Sequence, residues 1–147
     1  AATAIHGCAH TFIEGTQIKD TEDSRALLAV LDIVRAAMEA RDPEAILAVV
    51  SKDYFEDSGT LDAADDYGYQ ELSTKILPES LAATKEIHVT FQIYEIVVAD
   101  DRAHADIRYA SRTHIMLPAG PLWDTHREFN RVEFAREDGA WRIVSGL

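Results

Sequence analysis

The sequence is short of cysteine, of basic residues and of long apolar runs, and each shortage restricts what the chain does. Cys8 is the only cysteine, so no disulfide forms within the chain. Basic residues number 14 against 26 acidic ones, which gives a formal net charge of −12. Because nucleic-acid binding depends on Lys and Arg contacts to phosphate, the sequence predicts no nucleic-acid partner. No apolar run reaches the roughly 18 residues of a bilayer-spanning helix, so we expect membrane contact only through a lipid anchor.

The length of 147 residues is typical of one domain with a substantial core. No repeat, low-complexity tract or linker interrupts the chain. The first residues lack a sustained hydrophobic period, which predicts an N-terminal arm over 1–19 and a single domain over 20–147. Three apolar side chains, Phe12, Ile13 and Ile18, are expected to pin the arm to the domain.

The surroundings of Cys8 suggest processing. The run Ile5-His6-Gly7-Cys8-Ala9 resembles the end of a bacterial lipoprotein signal, in which the cysteine becomes the lipidated first residue. This predicts an exported protein that is periplasmic or held on a membrane as a lipoprotein. The alternative is a free cysteine in a loose arm of a cytoplasmic protein. His6, Cys8 and His10 offer too few ligands at too narrow a spacing for structural zinc, and we expect neither a metal nor a cofactor.

The first half of the chain has helical periodicity. Asp20-Thr21 is a suitable N-cap for an amphipathic helix that runs to Ala40. Asp42-Pro43 predicts the start of a second helix that ends near Val50. A third helix is expected over 67–77, stopped by Pro78, with a further helical turn over 79–84. Between the second and third helices, the segment 53–57 is typical of a short strand.

The second half alternates between apolar and polar residues, as strands do. Strands are predicted over 85–98, 102–116, 127–136 and 140–147, in meander order. The alternation changes phase at Tyr94-Glu95, which predicts a β-bulge that bends the sheet. Leu117–Pro121 contains two prolines and a glycine and is expected to break the sheet.

Two parts of the sequence resemble the nuclear-transport-factor-2-like superfamily, which includes ketosteroid isomerases and SnoaL-type cyclases. One part is Arg41-Asp42-Pro43-Glu44-Ala45-Ile46-Leu47 with Tyr54-Phe55-Glu56-Asp57. The other is Arg131-Val132-Glu133-Phe134 with Glu137-Asp138-Gly139-Ala140-Trp141-Arg142-Ile143. The resemblance covers about residues 20–147. It implies an α+β, cystatin-like cone in which three N-terminal helices pack on a strongly curved antiparallel sheet.

The resemblance also suggests catalytic positions. Asp57 corresponds to the aspartate general base of the isomerases, whose reaction also needs hydrogen-bond donors for the substrate oxyanion. One donor position of those enzymes, a tyrosine on the first helix, falls on Val34, which cannot donate. The other, a carboxyl group on a late strand, falls near Asn130, which can. If the chain is an enzyme, the resemblance therefore implies an isomerase or lyase with a carboxylate base.

Further residues are candidates for contact with a ligand in the cone. Tyr54 and Tyr109 could direct their hydroxyl groups into it, and Trp123 could close its mouth. His114 and His126 flank the Leu117–Pro121 segment and could pair across strands. The predicted ligand-binding residues are Tyr54, Tyr109, Trp123, His126 and Asn130. Arginines are expected on the outer face of the sheet in cross-strand ion pairs with acidic residues (Arg108, Arg112, Arg127 and Arg131 with Asp106, Glu128 and Glu133).

Three functions remain open from the sequence. The first is a non-catalytic protein that binds a small apolar or amphipathic molecule in the cone. The second is an isomerase, cyclase or dehydratase that uses Asp57 as its base. The third is a dimeric association module whose cone is filled by side chains. In each case the resemblance implies a homodimer formed through the sheet face.

Overall fold

Helices fill the first half of the chain and a sheet fills the second half in the computed structural model, which describes residues 11–147. Cys8 lies outside the described residues, and its lipidation stays a prediction. Phe12 and Lys19 form an isolated antiparallel bridge, and the intervening Ile18 is buried whereas Phe12 is exposed. In the part of the chain that the structure describes, no helix is both long enough and apolar enough to cross a bilayer.

The first helix, α1, spans Glu22–Ala40 as its caps predict. The Thr21 side chain accepts a hydrogen bond from the Ser24 N–H at 3.0 Å, which satisfies a donor that the helix itself cannot pair. At the other end Arg41 adopts a left-handed conformation (φ 55°), and its backbone N–H donates a hydrogen bond to carbonyl groups of the last helical turn. One side of α1 is fully buried and faces the sheet.

The second helix, α2, covers only Pro43–Leu47 and ends before the predicted Val50. The cause is competition from the sheet. The Ile143 N–H donates to the Val49 carbonyl at 2.9 Å, and the Ser51 N–H donates to the Ile143 carbonyl at 2.8 Å. These bonds form a parallel bridge between Val50 and Ile143, which draws the chain to the sheet edge and ends the helix.

The predicted third helix is more irregular than the sequence suggests. Strands β1 (Phe55–Glu56) and β2 (Tyr67–Gly68) pair with each other, so the helix begins after Gly68. It consists of α3 (Tyr69–Glu71), a π-helical turn (Leu72–Ile76) and α4 (Leu77–Ala82). The prediction that Pro78 stops the helix is wrong. Pro78 lies in the first turn of α4, directly after the widened π turn, where its missing N–H disrupts little. The helical turn expected beyond Pro78 is confirmed.

The main sheet has four antiparallel strands in the predicted meander order. They are β3 (Thr84–Ala99), β4 (Arg102–Leu117), β5 (Gly120–Glu137) and β6 (Ala140–Ser145). The expected sheet break at Leu117–Pro121 is wrong, because Leu117 pairs with Gly120 around a two-residue turn. Gly120 accommodates this turn with φ 123°. Pro121 is tolerated because β6 pairs with β5 only from Glu133 onward, which leaves an edge beside Pro121.

The predicted bulge is confirmed, since the register of β3 on β4 shifts between Ile93 and Glu95. Bulges bend a strand and increase its twist, which curves the sheet around α1. The concave face carries the core, in which Phe134 and Ile143 of the sheet and Leu27 of α1 have no exposed surface. The result is the expected α+β cone: helices on one side of a curved antiparallel sheet.

Candidate functional site

A cavity of about 310 Å³ lies between α1 and the concave face of β3, β4 and β5. This volume is at the lower end of the range for small-molecule sites. It also means that side chains do not fill the cone. The residues that line it are Leu31, Val34, Met38, Phe91, Ile107, Tyr109, His126, Glu128, Asn130, Val132, Gly146 and Leu147. We call this space the chamber.

The chamber has apolar walls and polar groups along two neighbouring strands. Leu31, Val34 and Met38 are three and four residues apart on α1, so they face the same way. Opposite them, the register pairs Ile107 with Asn130 and Tyr109 with Glu128. Because strand side chains alternate between faces, these cross-strand neighbours project together into the cone.

His126 and Glu128 form the polar rim with Tyr109. The His126 Nε2 atom lies 3.1 Å from Glu128 Oε2, and about half of each side chain is exposed. The rings of Tyr109 and His126 are 6.0 Å apart. Burial raises the pKa of Tyr109, a hydrogen bond with Ser111 opposes this, and the charge of Glu128 adds to the rise. The Tyr109 hydroxyl therefore keeps its proton at neutral pH and can donate to a bound molecule.

The floor of the chamber is held by a separate hydrogen-bond network. Asn130 Nδ2 donates to the Gly146 carbonyl at 2.8 Å, and the Gly146 N–H donates to Glu56 Oε2 at 2.7 Å. The Leu147 N–H donates to the Tyr54 hydroxyl at 3.1 Å, and the Tyr67 hydroxyl donates to the Leu147 carbonyl at 3.1 Å. These bonds fix residues 146 and 147, which close one end of the cavity.

Tyr54 therefore belongs to the support of the chamber and not to its lining. It is 2% exposed, and its hydroxyl is already engaged with Leu147 and Glu56. Burial raises the pKa of this hydroxyl well above its usual range. Asn130 lines the cavity, but its amide nitrogen is committed to Gly146. Val34 and Asn130 both lie at the chamber, where the resemblance places them.

Asp57 lies outside the chamber, in an exposed turn. Its Oδ1 atom accepts a hydrogen bond from the Gly59 N–H at 2.9 Å, an arrangement common in Asx turns. It does not line the chamber itself, but it borders a neighbouring open depression that shares Glu128, Asn130, Gly146 and Leu147 with the chamber. A general base must reach the proton that it removes, and nothing holds the Asp57 carboxylate toward a bound molecule.

Trp123 lies on the convex face of the sheet, opposite to the chamber that we expected it to close. Its ring stacks on His114 at 4.7 Å, and the Arg112 guanidinium lies 4.5 Å from the ring centre. Alternation explains this, because Trp123 is an odd number of residues from His126. For the same reason His114 and His126 are on opposite faces and do not pair.

Glu128 lies on the concave face of the sheet, and the prediction that it lies on the outer face is wrong. The pairing expected on the outer face holds for Arg131 and Asp106, whose side chains make bonds of 2.7 and 2.8 Å. Glu128 instead faces the chamber beside Tyr109. The sequence could have shown this, because His126, Glu128 and Asn130 are two residues apart on one strand and therefore share a face. His126 and Asn130 are both predicted to contact the ligand.

Several solved structures share this architecture. A protein described as a dehydratase of the nuclear-transport-factor-2-like family, from Streptomyces avermitilis, matches with TM-score 0.66 and 13% identity, over 84% of this chain and 93% of its own. A protein described as a scytalone dehydratase, from Novosphingobium aromaticivorans, gives 0.63 and 12%, over 84% and 80%. A cystatin-like protein from Caulobacter vibrioides gives 0.64 and 15%, over 86% and 87%.

At the level of sequence, no family model and no curated protein matches the chain. Identities this low carry information about fold and not about activity. The order of the elements, the curved meander and the three structural matches agree with one another. The chain therefore has a cystatin-like, nuclear-transport-factor-2-like fold.

Proposed function

We propose that the chain binds a small, largely apolar molecule in the chamber, with one neutral polar group directed at Tyr109, His126 and Glu128. The observation that carries this proposal is the combination of apolar walls with polar groups confined to β4 and β5. Sites of this kind gain affinity from the apolar surface and orientation from a few polar contacts.

The size and charge of the chamber restrict the ligand. A bicyclic aromatic molecule buries about 200 Å² of apolar surface, which contributes about 5 kcal/mol before the cost of association is subtracted. Because about 5 kcal/mol alone corresponds to a dissociation constant of about 0.2 mM and association subtracts from it, we expect simple aromatic ligands to bind with dissociation constants of about 0.2 mM or weaker. An anionic ligand is disfavoured because the Glu128 carboxylate stands at the rim and the chain carries a net charge of −12.

Titration with 2-naphthol, a neutral bicyclic molecule with one hydroxyl group, tests the proposal. The Val34→Phe variant places a larger side chain in the chamber and should abolish binding while the protein remains folded. Val30→Phe is the matched control, because Val30 lies on the same helix but borders a different groove. Equal affinity in the wild type and Val34→Phe would contradict binding in the chamber.

A second candidate function is the dehydration of a β-hydroxy carbonyl compound. It is favoured by the 3.1 Å contact between His126 and Glu128 beside a protonated phenol, and by the dehydratase descriptions of two structural relatives. His126 would accept the proton from the carbon next to the carbonyl, and Glu128 would stabilise the imidazolium. Tyr109 would donate to the carbonyl oxygen as the double bond forms. The leaving hydroxyl would take the proton from His126 and depart as water.

An activity assay can test which residue is the general base, His126 or the sequence-predicted Asp57. With an aryl β-hydroxy ketone as substrate, appearance of the conjugated enone can be followed by its absorbance. We expect His126→Asn to abolish turnover and Asp57→Asn to retain it. The reverse pattern would assign the base to Asp57, and no turnover by the wild type would leave the chain as a binding protein.

We also propose that the convex face of the sheet contacts a second copy of the chain. Three aromatic side chains are exposed there, with Phe129 at 76%, Tyr94 at 45% and Trp123 at 41%. Tyr94 and Phe129 lie together with their ring centres 5.9 Å apart, and aromatic residues are enriched in protein interfaces. This association would leave the chamber open, because the chamber lies on the other face of the sheet.

A further inference from the structure

The convex face carries three potential metal ligands close together, from two neighbouring strands. One ligand atom each from Glu95 on β3 and from His104 and Asp106 on β4 lies within 4.8 Å of the other two. One divalent ion can contact all three at coordination distances of about 2.0–2.2 Å after small side-chain rotations. We propose that Glu95, His104 and Asp106 form a binding site for a divalent transition-metal cation, best matched by Zn²⁺.

The backbone explains why these side chains converge. His104 and Asp106 are two residues apart on β4, so they project from the same face. Glu95 stands directly opposite Asp106. The bulge between Ile93 and Glu95 resets the phase of β3 and brings Glu95 onto this face. His104 and Asp106 stand on β4, which is paired on both sides, whereas Glu95 stands on the edge strand β3.

The surrounding charges favour a cation. Arg131 on β5 holds the Asp106 carboxylate through bonds of 2.7 and 2.8 Å, which fixes its orientation. Each carboxylate oxygen keeps a second lone pair for a metal, and ligating carboxylates commonly have such outer partners. Glu133 stands opposite His104 in the register of β4 and β5. Three carboxylates therefore surround one guanidinium, and the local charge without metal is negative.

The ligand types select the metal. Calcium and magnesium prefer oxygen ligands only, whereas an imidazole with two carboxylates suits zinc and its neighbours in the first transition row. Three protein ligands leave a fourth tetrahedral position for water, and the site is exposed enough to admit it. The ion would tie β3 to β4 on the face opposite to the chamber, so this proposal is independent of the proposed ligand.

Calorimetric titration of the full chain with Zn²⁺ tests the site. We expect His104→Ala and Glu95→Gln to weaken Zn²⁺ binding by at least about tenfold, since even substitutions of outer partners commonly cost about 10–100-fold. His88→Ala is the matched control. His88 pairs with Glu86 at 2.8 Å on the same face, but no third ligand joins that pair among residues 11–147. Its loss should leave Zn²⁺ affinity unchanged.

The N-terminal arm needs its own control, because His6, Cys8 and His10 also offer ligands for zinc. The triple variant His6→Ala, Cys8→Ser, His10→Ala should retain the binding that His104→Ala removes. Thermal unfolding should shift upward with Zn²⁺ in the wild type and not in His104→Ala. Absence of Zn²⁺ binding by the wild type, binding that disappears with the arm substitutions, or binding by the arm variant that survives the addition of His104→Ala would each overturn the proposal.

Discussion

Replacing Gly146 with alanine tests how tightly the floor of the chamber is packed. Gly146 has φ +95°, a conformation that costs a residue with a Cβ atom about 1–2 kcal/mol. Its added Cβ would also overlap the backbone carbonyl oxygen of Arg131 and approach Val132 Cα to 2.9 Å. Overpacking against backbone adds about 1–3 kcal/mol. The expected loss in the free energy of unfolding is therefore about 2–5 kcal/mol.

Gly139 provides the matched control for this substitution. It has φ +78°, but a Cβ built there meets no atom within 4 Å. Gly139→Ala should cost only the conformational part, about 1–2 kcal/mol. Urea unfolding of both variants measures the difference, provided that the m-values agree. If the two variants lose the same free energy within about 0.5 kcal/mol, then residue 146 is not packed against β5 and the chamber floor is misplaced.

Three further predictions concern pH, association and processing. Burial raises the pKa of Tyr54 and Tyr109, so both phenols are neutral in the folded protein. In the unfolded chain they ionise at about pH 10. Their contribution to the free energy of unfolding should therefore be fully present below about pH 10 and be lost as the pH rises above it. Urea midpoints across this range should fall less steeply in Tyr54→Phe, and identical slopes would refute the assignment. Phe129→Glu should convert a dimer to a monomer in analytical ultracentrifugation; a wild type that is already monomeric would exclude the interface. Mass spectrometry of the native protein should find acyl groups on Cys8, and an unmodified cysteine with its upstream residues intact would dismiss the anchor.

The sequence predicted the fold well where local chemistry decides the outcome. The cap of α1 at Thr21 and the bulge between Ile93 and Glu95 depend on neighbouring residues and on alternation, which are visible in the sequence. The sequence-based prediction failed where hydrogen bonds from residues distant in the chain determine the local structure. The early end of α2 is set by hydrogen bonds to Ile143, nearly one hundred positions away. The prediction that Pro78 ends the helix also failed. A π turn precedes Pro78 and lets the helix continue, and the residue pattern does not indicate such a turn.

The candidate site was only partly predictable, because the sequence did not show that β5 begins at Gly120. When Leu117–Pro121 is taken as a break, the faces of the residues that follow cannot be assigned. Once β5 begins at Gly120, alternation places His126 and Glu128 in the chamber and Trp123 outside it. The role of Asp57 as a base follows only from the resemblance, and it stays a prediction because a shared fold does not by itself transfer the role of a loop residue.

The most direct test of the account is the position of 2-naphthol on the protein, measured by intermolecular nuclear Overhauser effects. The ligand should show contacts to the methyl groups of Val34, Met38 and Leu31, which line the chamber from α1. It should show none to the convex face. Contacts confined to Trp123 and Phe129, or no contact to any α1 methyl group at saturating ligand, would contradict the central claim that the cone encloses a binding chamber.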